Sequence, residues 1–344
     1  MEYQNLGDSG LKISKVIVGC MTYGGPQSPS WMLSDEDKVF GIMKKCYDNG
    51  IRTFDTADVY SNGQSEILLG KFIRKYNIPR DRIVILTKLF FPVDSDNPNF
   101  KRGGAGAPAY EYINSQGLSR KHIFDAITNS VKRLGTYVDV LQIHRLDRST
   151  PKTEIMRALH DVVIAGHARY LGASSMKATE FAQLQFIADK NGWFKFISMQ
   201  NYYNLLYREE EREMIPFCNE SDFGKVGLIP WSPLARGILT RTVSEKSTTR
   251  SSDIDPMQKH LGLEDLTESD KETIRRTESV SKEIGVSMAT VATAWVISKG
   301  CAPIVGLNSE ERVDDIIKAV KTKLSQEQVA YLEGSYNSKN VVGY

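Results

Sequence analysis

Short apolar, β-branched runs recur along this chain with amphipathic stretches of helical length between several of them. Such runs fall at residues 16–19, 52–57, 82–88, 138–144, 169–174, 195–200, 226–231 and 302–306. Parallel strands need a crossover of about a dozen residues, and a helix with one apolar stripe supplies it while covering a sheet face. The stripes are present: Val39, Ile42, Met43, Cys46 and Tyr47 before Gly50; Ile123, Ile127, Val131 and Leu134 before Gly135; Ile155, Leu159, Val162 and Val163 before Gly166; Phe181, Leu184 and Ala188 before Gly192. Ser34, followed by Asp35, Glu36 and Asp37, reads as the cap that opens the first of these helices. Eight β/α units exceed what an open doubly wound sheet normally holds. The pattern therefore predicts an α/β fold, a (β/α)8 TIM barrel formed as a single domain over residues 1–344.

Residues 3–14 precede the first run and hold Gly7-Asp8-Ser9-Gly10 between short alternating segments, which predicts a β-hairpin that plugs the bottom of the barrel. Two long segments, 90–117 and 232–269, each follow a predicted strand, so both belong to the face where barrel enzymes carry their chemistry. The 44 Lys and Arg residues nearly balance 42 Asp and Glu, giving a net charge of +2. That balance leaves no electrostatic footprint for nucleic acid or an anionic membrane. No apolar run approaches the roughly 20 residues of a spanning helix, and Met1-Glu2-Tyr3-Gln4-Asn5 has no basic-then-apolar leader. Cys20, Cys46, Cys218 and Cys301 lie far apart without a CxxC pair, which fits a reducing compartment. The expectation is a cytoplasmic protein.

In a barrel, polar residues where an apolar strand runs out read as functional. Asp55 ends Thr53-Phe54-Asp55, Tyr60 follows in the next loop, Lys88 ends Ile85-Leu86-Thr87-Lys88, and His144 ends Leu141-Gln142-Ile143-His144. Singly, each has an ordinary explanation as a cap, a solvated end or a structural imidazole. Together they have a chemical logic. A phenol with a pKa near 10 donates a proton at neutral pH more readily when a cation stabilises the phenolate left behind. Lys88 can supply that cation, Asp55 its counter-charge, and a neutral His144 can orient a carbonyl group. The set contains no activated nucleophile and no metal-ligand spacing. Proton delivery to a carbonyl oxygen remains, and it implies a hydride donor.

Residues Gly50-Ile51-Arg52-Thr53-Phe54-Asp55-Thr56-Ala57-Asp58-Val59-Tyr60, with the segments ending in Lys88 and His144, resemble the signature of the aldo-keto reductase family. The similarity covers nearly the whole chain and is greatest to the fungal aryl-alcohol dehydrogenase-like branch, especially at Arg120-Lys121-His122 and Trp231-Ser232-Pro233-Leu234-Ala235-Arg236-Gly237. The resemblance implies NADP(H) as cofactor and a small-molecule carbonyl or alcohol as substrate, with Asp55, Tyr60, Lys88 and His144 as the catalytic set. By the same resemblance Met21, Asp55, Ser174 and Gln200 meet the nicotinamide end, and Trp231 stacks on its ring. Ser232, Leu234 and Gly237 cover the pyrophosphate, and Asn308, Arg312 and Asp315 serve the adenosine-phosphate end. Ser175 replaces the usual Asn, Gly306 stands where some branches have a phosphate-binding Lys, and Ile316 replaces a common Asn. Arg312, at the mouth of a predicted helix over 310–320, is the expected ligand of a 2′-phosphate. A redox-sensing regulatory subunit with little turnover is the alternative, because potassium-channel β-subunits resemble the same family.

Other signals point elsewhere. Gly104-Ala105-Gly106-Ala107-Pro108-Ala109 matches GxGxxA superficially, but Pro108 stands inside a long loop where a helix would have to start. None of the fifteen tyrosines is followed four residues later by Lys, as a short-chain dehydrogenase would require. His122, His160, His167 and His260 show no metal spacing. Trp295 reads as core, and Trp31 either lines the substrate pocket or covers the barrel rim.

Overall fold

The computed structural model describes residues 1–25, 31–97, 100, 108, 110–245 and 255–343. The chain opens with an antiparallel hairpin of β1 (Tyr3–Asn5) and β2 (Lys12–Ser14). Eight parallel strands follow: β3 (Ile17–Gly19), β4 (Thr53–Asp55), β5 (Val84–Leu89), β6 (Val138–Ile143), β7 (Ala168–Ser174), β8 (Phe196–Gln200), β9 (Gly227–Leu228) and β10 (Ile304–Gly306). They run in the order β10-β3-β4-β5-β6-β7-β8-β9. The ring is completed by Ala302 N–H donating to Leu228 O at 2.9 Å and Ile304 N–H to Pro230 O at 2.9 Å. The expected TIM barrel is therefore present, in sequence order around the ring. The strand expected over 226–231 is regular only at β9, because Pro230 has no N–H to give to a ladder; Trp231 then resumes pairing with Tyr202 and Ile304.

The interleaved helices are α1 (Glu36–Asp48), α2 (Gln64–Lys75), α3 (Arg120–Leu134), α4 (Lys152–Ile164), α5 (Ala178–Lys190) and the short α6 (Met214–Glu220). After β9 come α7 (Pro256–His260), α8 (Glu268–Ile284) and α9 (Met288–Ser298), and after β10 α10 (Glu310–Lys321) and α11 (Gln326–Glu333). Asp35, not Ser34, caps α1: its carboxylate accepts from Asp37 N–H at 3.1 Å and Lys38 N–H at 3.2 Å. The carboxylate there satisfies two orphan donors and its charge faces the positive end of the helix dipole. The predicted stripe of α1 is buried at Val39, Ile42, Met43 and Cys46. Gly135, at φ 75°, ends α3 in the left-handed conformation expected of a helix-stopping glycine.

The hairpin closes the lower end of the barrel as predicted. Leu6 and Ile13 are fully buried with Ile17, Leu86, Val140, Ile229 and Ala302 in one apolar cluster. Asp8 N–H donates to Lys225 O at 2.9 Å, and Lys225 N–H to the Asp8 carboxylate at 2.6 Å, fastening the hairpin beside the entry to β9. Trp295 is fully buried in α9, as core, with its indole N–H donating to Glu333 at 2.8 Å. The four cysteines are free and buried. Among the described residues, no helix is long and apolar enough to cross a membrane. Gly104 to Ala107 and Ala109, and the Ser/Thr-rich stretch 247–252, lie outside the described residues.

Candidate active site

Strand closure brings a layer of polar side chains together at the carboxyl ends of β4, β5, β6 and β8. Asp55, the last residue of β4, is 2% exposed and Lys88 of β5 is 0% exposed, so their pairing is completely withdrawn from water. Lys88 Nζ donates to Asp55 Oδ2 at 2.6 Å, to Thr56 O at 2.9 Å and to Tyr60 Oη at 3.1 Å. Asp55 Oδ1 in turn accepts from Gln142 Nε2 and Gln200 Nε2, both at 3.0 Å, and the two glutamines are joined at 2.9 Å. The cluster is possible because β7 has Gly172 beside it: a Cβ there would lie 2.4 Å from Ser198 Oγ and 2.9 Å from Gln142 Cγ. Burial alone would push the Lys88 ammonium down, but the Asp55 carboxylate and the Tyr60 oxygen beside it hold it above the usual lysine range.

Tyr60 stands in the loop after β4 with its ring edge-on to His144, centroids 5.8 Å apart. Phe91 packs edge-on against the other ring partner, His144, at 5.3 Å. Backbone bonding sets both positions. Tyr60 N–H donates to Ala57 O at 3.2 Å, and His144 N–H to Leu89 O at 3.0 Å.

These groups lie at one end of a cleft of about 1140 Å³. Met21, Asp55, Ser174, Gln200 and Trp231 border it, as do Ser232, Leu234 and Gly237 of the next loop and Asn308 and Arg312. Trp231 is half-buried, stacked on Tyr202 with centroids 4.6 Å apart. The loop after it carries four left-handed residues, Ser232 (φ 52°), Ala235 (φ 46°), Arg236 (φ 55°) and Gly237 (φ 96°). Arg236 is buried and donates through Nε to Asp255 Oδ2 at 2.6 Å, tying this loop to the start of α7. Arg312 is exposed in the first turn of α10, and no described carboxylate pairs with it. Asp315 is not brought to the cleft wall; its carbonyl accepts from Thr290 Oγ1 at 3.2 Å, on the side of α10 that packs on α9. Trp31 and Met32 border the mouth beside Tyr60.

The aldo/keto reductase family model matches residues 15–337. This chain belongs to the aldo/keto reductase family. Among similar proteins, versiconal hemiacetal acetate reductase of Aspergillus parasiticus is 54% identical, covering 99% of this chain and 98% of its own. A Saccharomyces cerevisiae protein provisionally named an aryl-alcohol dehydrogenase is 54% identical over 96% of both chains. An aldo-keto reductase of Alternaria alternata is 43% identical, covering 99% of this chain and 93% of its own.

Some residues of this aldo/keto reductase site escaped the sequence reading. Gln142 lies two residues before His144, and period-two alternation puts both on the same face of the strand. That signal was available. Nothing in the sequence pairs Arg236 with Asp255. His260, set aside as a metal ligand, borders the cleft at α7. His122 is structural, with its Nδ1 at 2.8 Å from Gly117 O and burial holding its pKa below the usual range.

Proposed function

We propose that this oxidoreductase converts aldehydes and ketones to alcohols, reversibly, using NADPH, with Tyr60 as the proton donor. The observation that carries the reading is the count of hydrogen bonds at Lys88. An ammonium has three N–H donors, and those of Lys88 meet Asp55, Thr56 and Tyr60. The phenol oxygen therefore accepts from Lys88, and its own hydrogen has no partner among the described residues. It is kept for an acceptor in the cleft. When that proton leaves, the ammonium 3.1 Å away stabilises the phenolate. The Asp55 carboxylate, held by two glutamine amides, keeps the cation in place. His144, bordering the same cleft, offers a ring nitrogen to orient the carbonyl oxygen.

The cleft suits a nicotinamide dinucleotide. The turn after Trp231, left-handed at Ser232 and at residues 235–237, brings Ser232, Leu234 and Gly237 against the cleft, where the backbone can closely approach a pyrophosphate. Trp231 offers a flat face for the nicotinamide, with Met21, Ser174 and Gln200 beside it. Arg312, exposed at the opening of α10 with no carboxylate partner among the described residues, suits the 2′-phosphate that distinguishes NADPH from NADH. When bound, the cofactor supplies the hydride. The apolar side chains of Trp31, Met32 and Phe100 in the cleft wall favour aryl carbonyl compounds, in keeping with the aryl-alcohol name of the Saccharomyces cerevisiae relative. Four free, buried cysteines support a cytoplasmic location.

The test is NADPH consumption with a panel of aryl and aliphatic aldehydes. Turnover above the rate of cofactor loss without substrate is expected. Turnover no faster than that loss would favour the redox-sensing regulatory subunit instead.

A further inference from the structure

Ser175 follows the last residue of β7 and is 2% exposed. Its hydroxyl is committed on both sides. Ser175 Oγ accepts from the Trp231 indole N–H at 3.2 Å and directs its own hydrogen toward Gln200 O at 3.5 Å. Trp231 is held on two further sides. One face of the indole stacks on Tyr202, which stacks on Tyr207 at 4.7 Å, so three rings form a continuous pile. The end of the chain closes the Nε1 edge, where a Cβ built on Gly343 would lie 3.4 Å from Trp231 Cζ2 and 3.9 Å from Ser175 Oγ. Val342 N–H donates to Tyr207 Oη at 3.1 Å, anchoring the same segment to the far end of the pile. The rest of the indole borders the cleft.

Stacking on Tyr202 still lets an indole turn and slide across that face, and a hydrogen bond from its edge removes this freedom. We propose that Ser175 is a positioning residue that acts through Trp231: by accepting from Nε1 it fixes the rotation of the indole and so the plane against which the nicotinamide rests. This inference rests on the cofactor reading above. It differs from a direct role for Ser175, in which the hydroxyl would grip the carboxamide itself; here the closest polar contact of that hydroxyl is the Trp231 indole N–H. Gly343 and Val342 then serve as the wall that keeps the pair closed.

The test is a double-mutant cycle of Ser175→Ala and Trp231→Phe, the latter keeping an aromatic face but lacking the N–H donor. NADPH dissociation constants are measured by titration, and hydrogen exchange of the indole N–H is followed by NMR in the cofactor-free protein. Ser175→Ala is expected to weaken NADPH binding about 3- to 10-fold in the wild-type background, the scale of one net hydrogen bond, and to change it little in Trp231→Phe. In the cofactor-free protein the Trp231 indole N–H, assigned by its loss in Trp231→Phe, should exchange faster in Ser175→Ala. Losses that add across the cycle would show that Ser175 acts on the cofactor independently of Trp231, and would overturn the proposal while leaving the cofactor reading intact. Unchanged indole exchange in Ser175→Ala would overturn it as well. Failure of the wild-type protein to bind NADPH would remove the cofactor reading, and this inference with it.

Discussion

A buried ammonium is tolerated at Lys88 because each of its donors has an acceptor, and on the proposed reading the same saturation leaves Tyr60 with a proton to give. Tyr60→Phe removes that proton and little else, so carbonyl reduction should fall by roughly 10² or more while NADPH binding persists. Near-normal turnover with intact binding would transfer the donor role to another group. Lys88→Met leaves the Asp55 carboxylate buried with amide donors alone, a loss of about 3–5 kcal/mol for breaking a buried pair. Because the folded-state pKa of Lys88 is raised, the stability it contributes is complete below the ordinary lysine value and is lost only as pH rises through the higher one. Neutral pH therefore leaves the pair untouched. In folded Lys88→Met carbonyl reduction should fall while NADPH still binds; an unchanged rate would show that the ammonium does not support proton transfer from Tyr60. In the same cleft, Arg312→Ala should weaken NADPH about 10- to 150-fold and NADH little, the worth of a charge-assisted bond. Equal weakening of both cofactors, measured at fixed ionic strength, would argue against a 2′-phosphate contact.

Among the elements, the loop from β6 to α4 carries His144 and needs its own restraint. Asp147 provides it, accepting from Leu118 N–H at 2.9 Å, from Ser149 N–H at 2.9 Å and Oγ at 2.6 Å, and from Thr150 Oγ1 at 2.6 Å. Burial alone would raise this carboxyl, but the hydrogen bonds from Ser149, Thr150 and Leu118 outweigh it and bring the pKa to about 2. A depressed carboxylate contributes stability that is present above its unfolded value and is lost as pH falls through the folded one. Asp147→Ala should therefore cost about 1–2 kcal/mol at neutral pH, a modest figure because the side chain is only part-buried. The gap from wild type in urea unfolding should shrink between about pH 4 and pH 2. A gap that stays constant over that interval would mean that the loop does not depend on the charge.

For the molecule as a whole, the barrel separates stability from chemistry along its axis. The lower end is filled by the hairpin, with Leu6 and Ile13 completing an apolar layer beneath the polar layer of Asp55, Lys88, Gln142 and Gln200. Leu6→Ala opens a cavity in that layer and should destabilise the protein by about 2–5 kcal/mol in denaturant unfolding. NADPH affinity should be retained, since the cleft lies at the opposite end. Joint loss of stability and cofactor affinity would show the two ends to be coupled.

Periodicity along the chain determined the barrel: strands alternate inside and outside, helices expose one stripe, and both signals are local. The strand-end positions of Asp55, Lys88 and His144 were accessible for the same reason, and the motif spacing added Tyr60. Partner choice was not local. Lys88 reaches Asp55 across 33 positions, and Gln142 and Gln200 reach it across 87 and 145, so only closure of the ring shows that four strands share one carboxylate. Asp35 capped α1 instead of Ser34 because the exact turn geometry selects one of two adjacent acceptors. Asp315 is absent from the cleft wall that Asn308 and Arg312 border, because a helix presents neighbouring residues to different faces. The commitment of Ser175 to Trp231 across 56 positions is of the same kind: the residue types are written in the chain, but the hydrogen bond exists only once distant strands have been brought side by side.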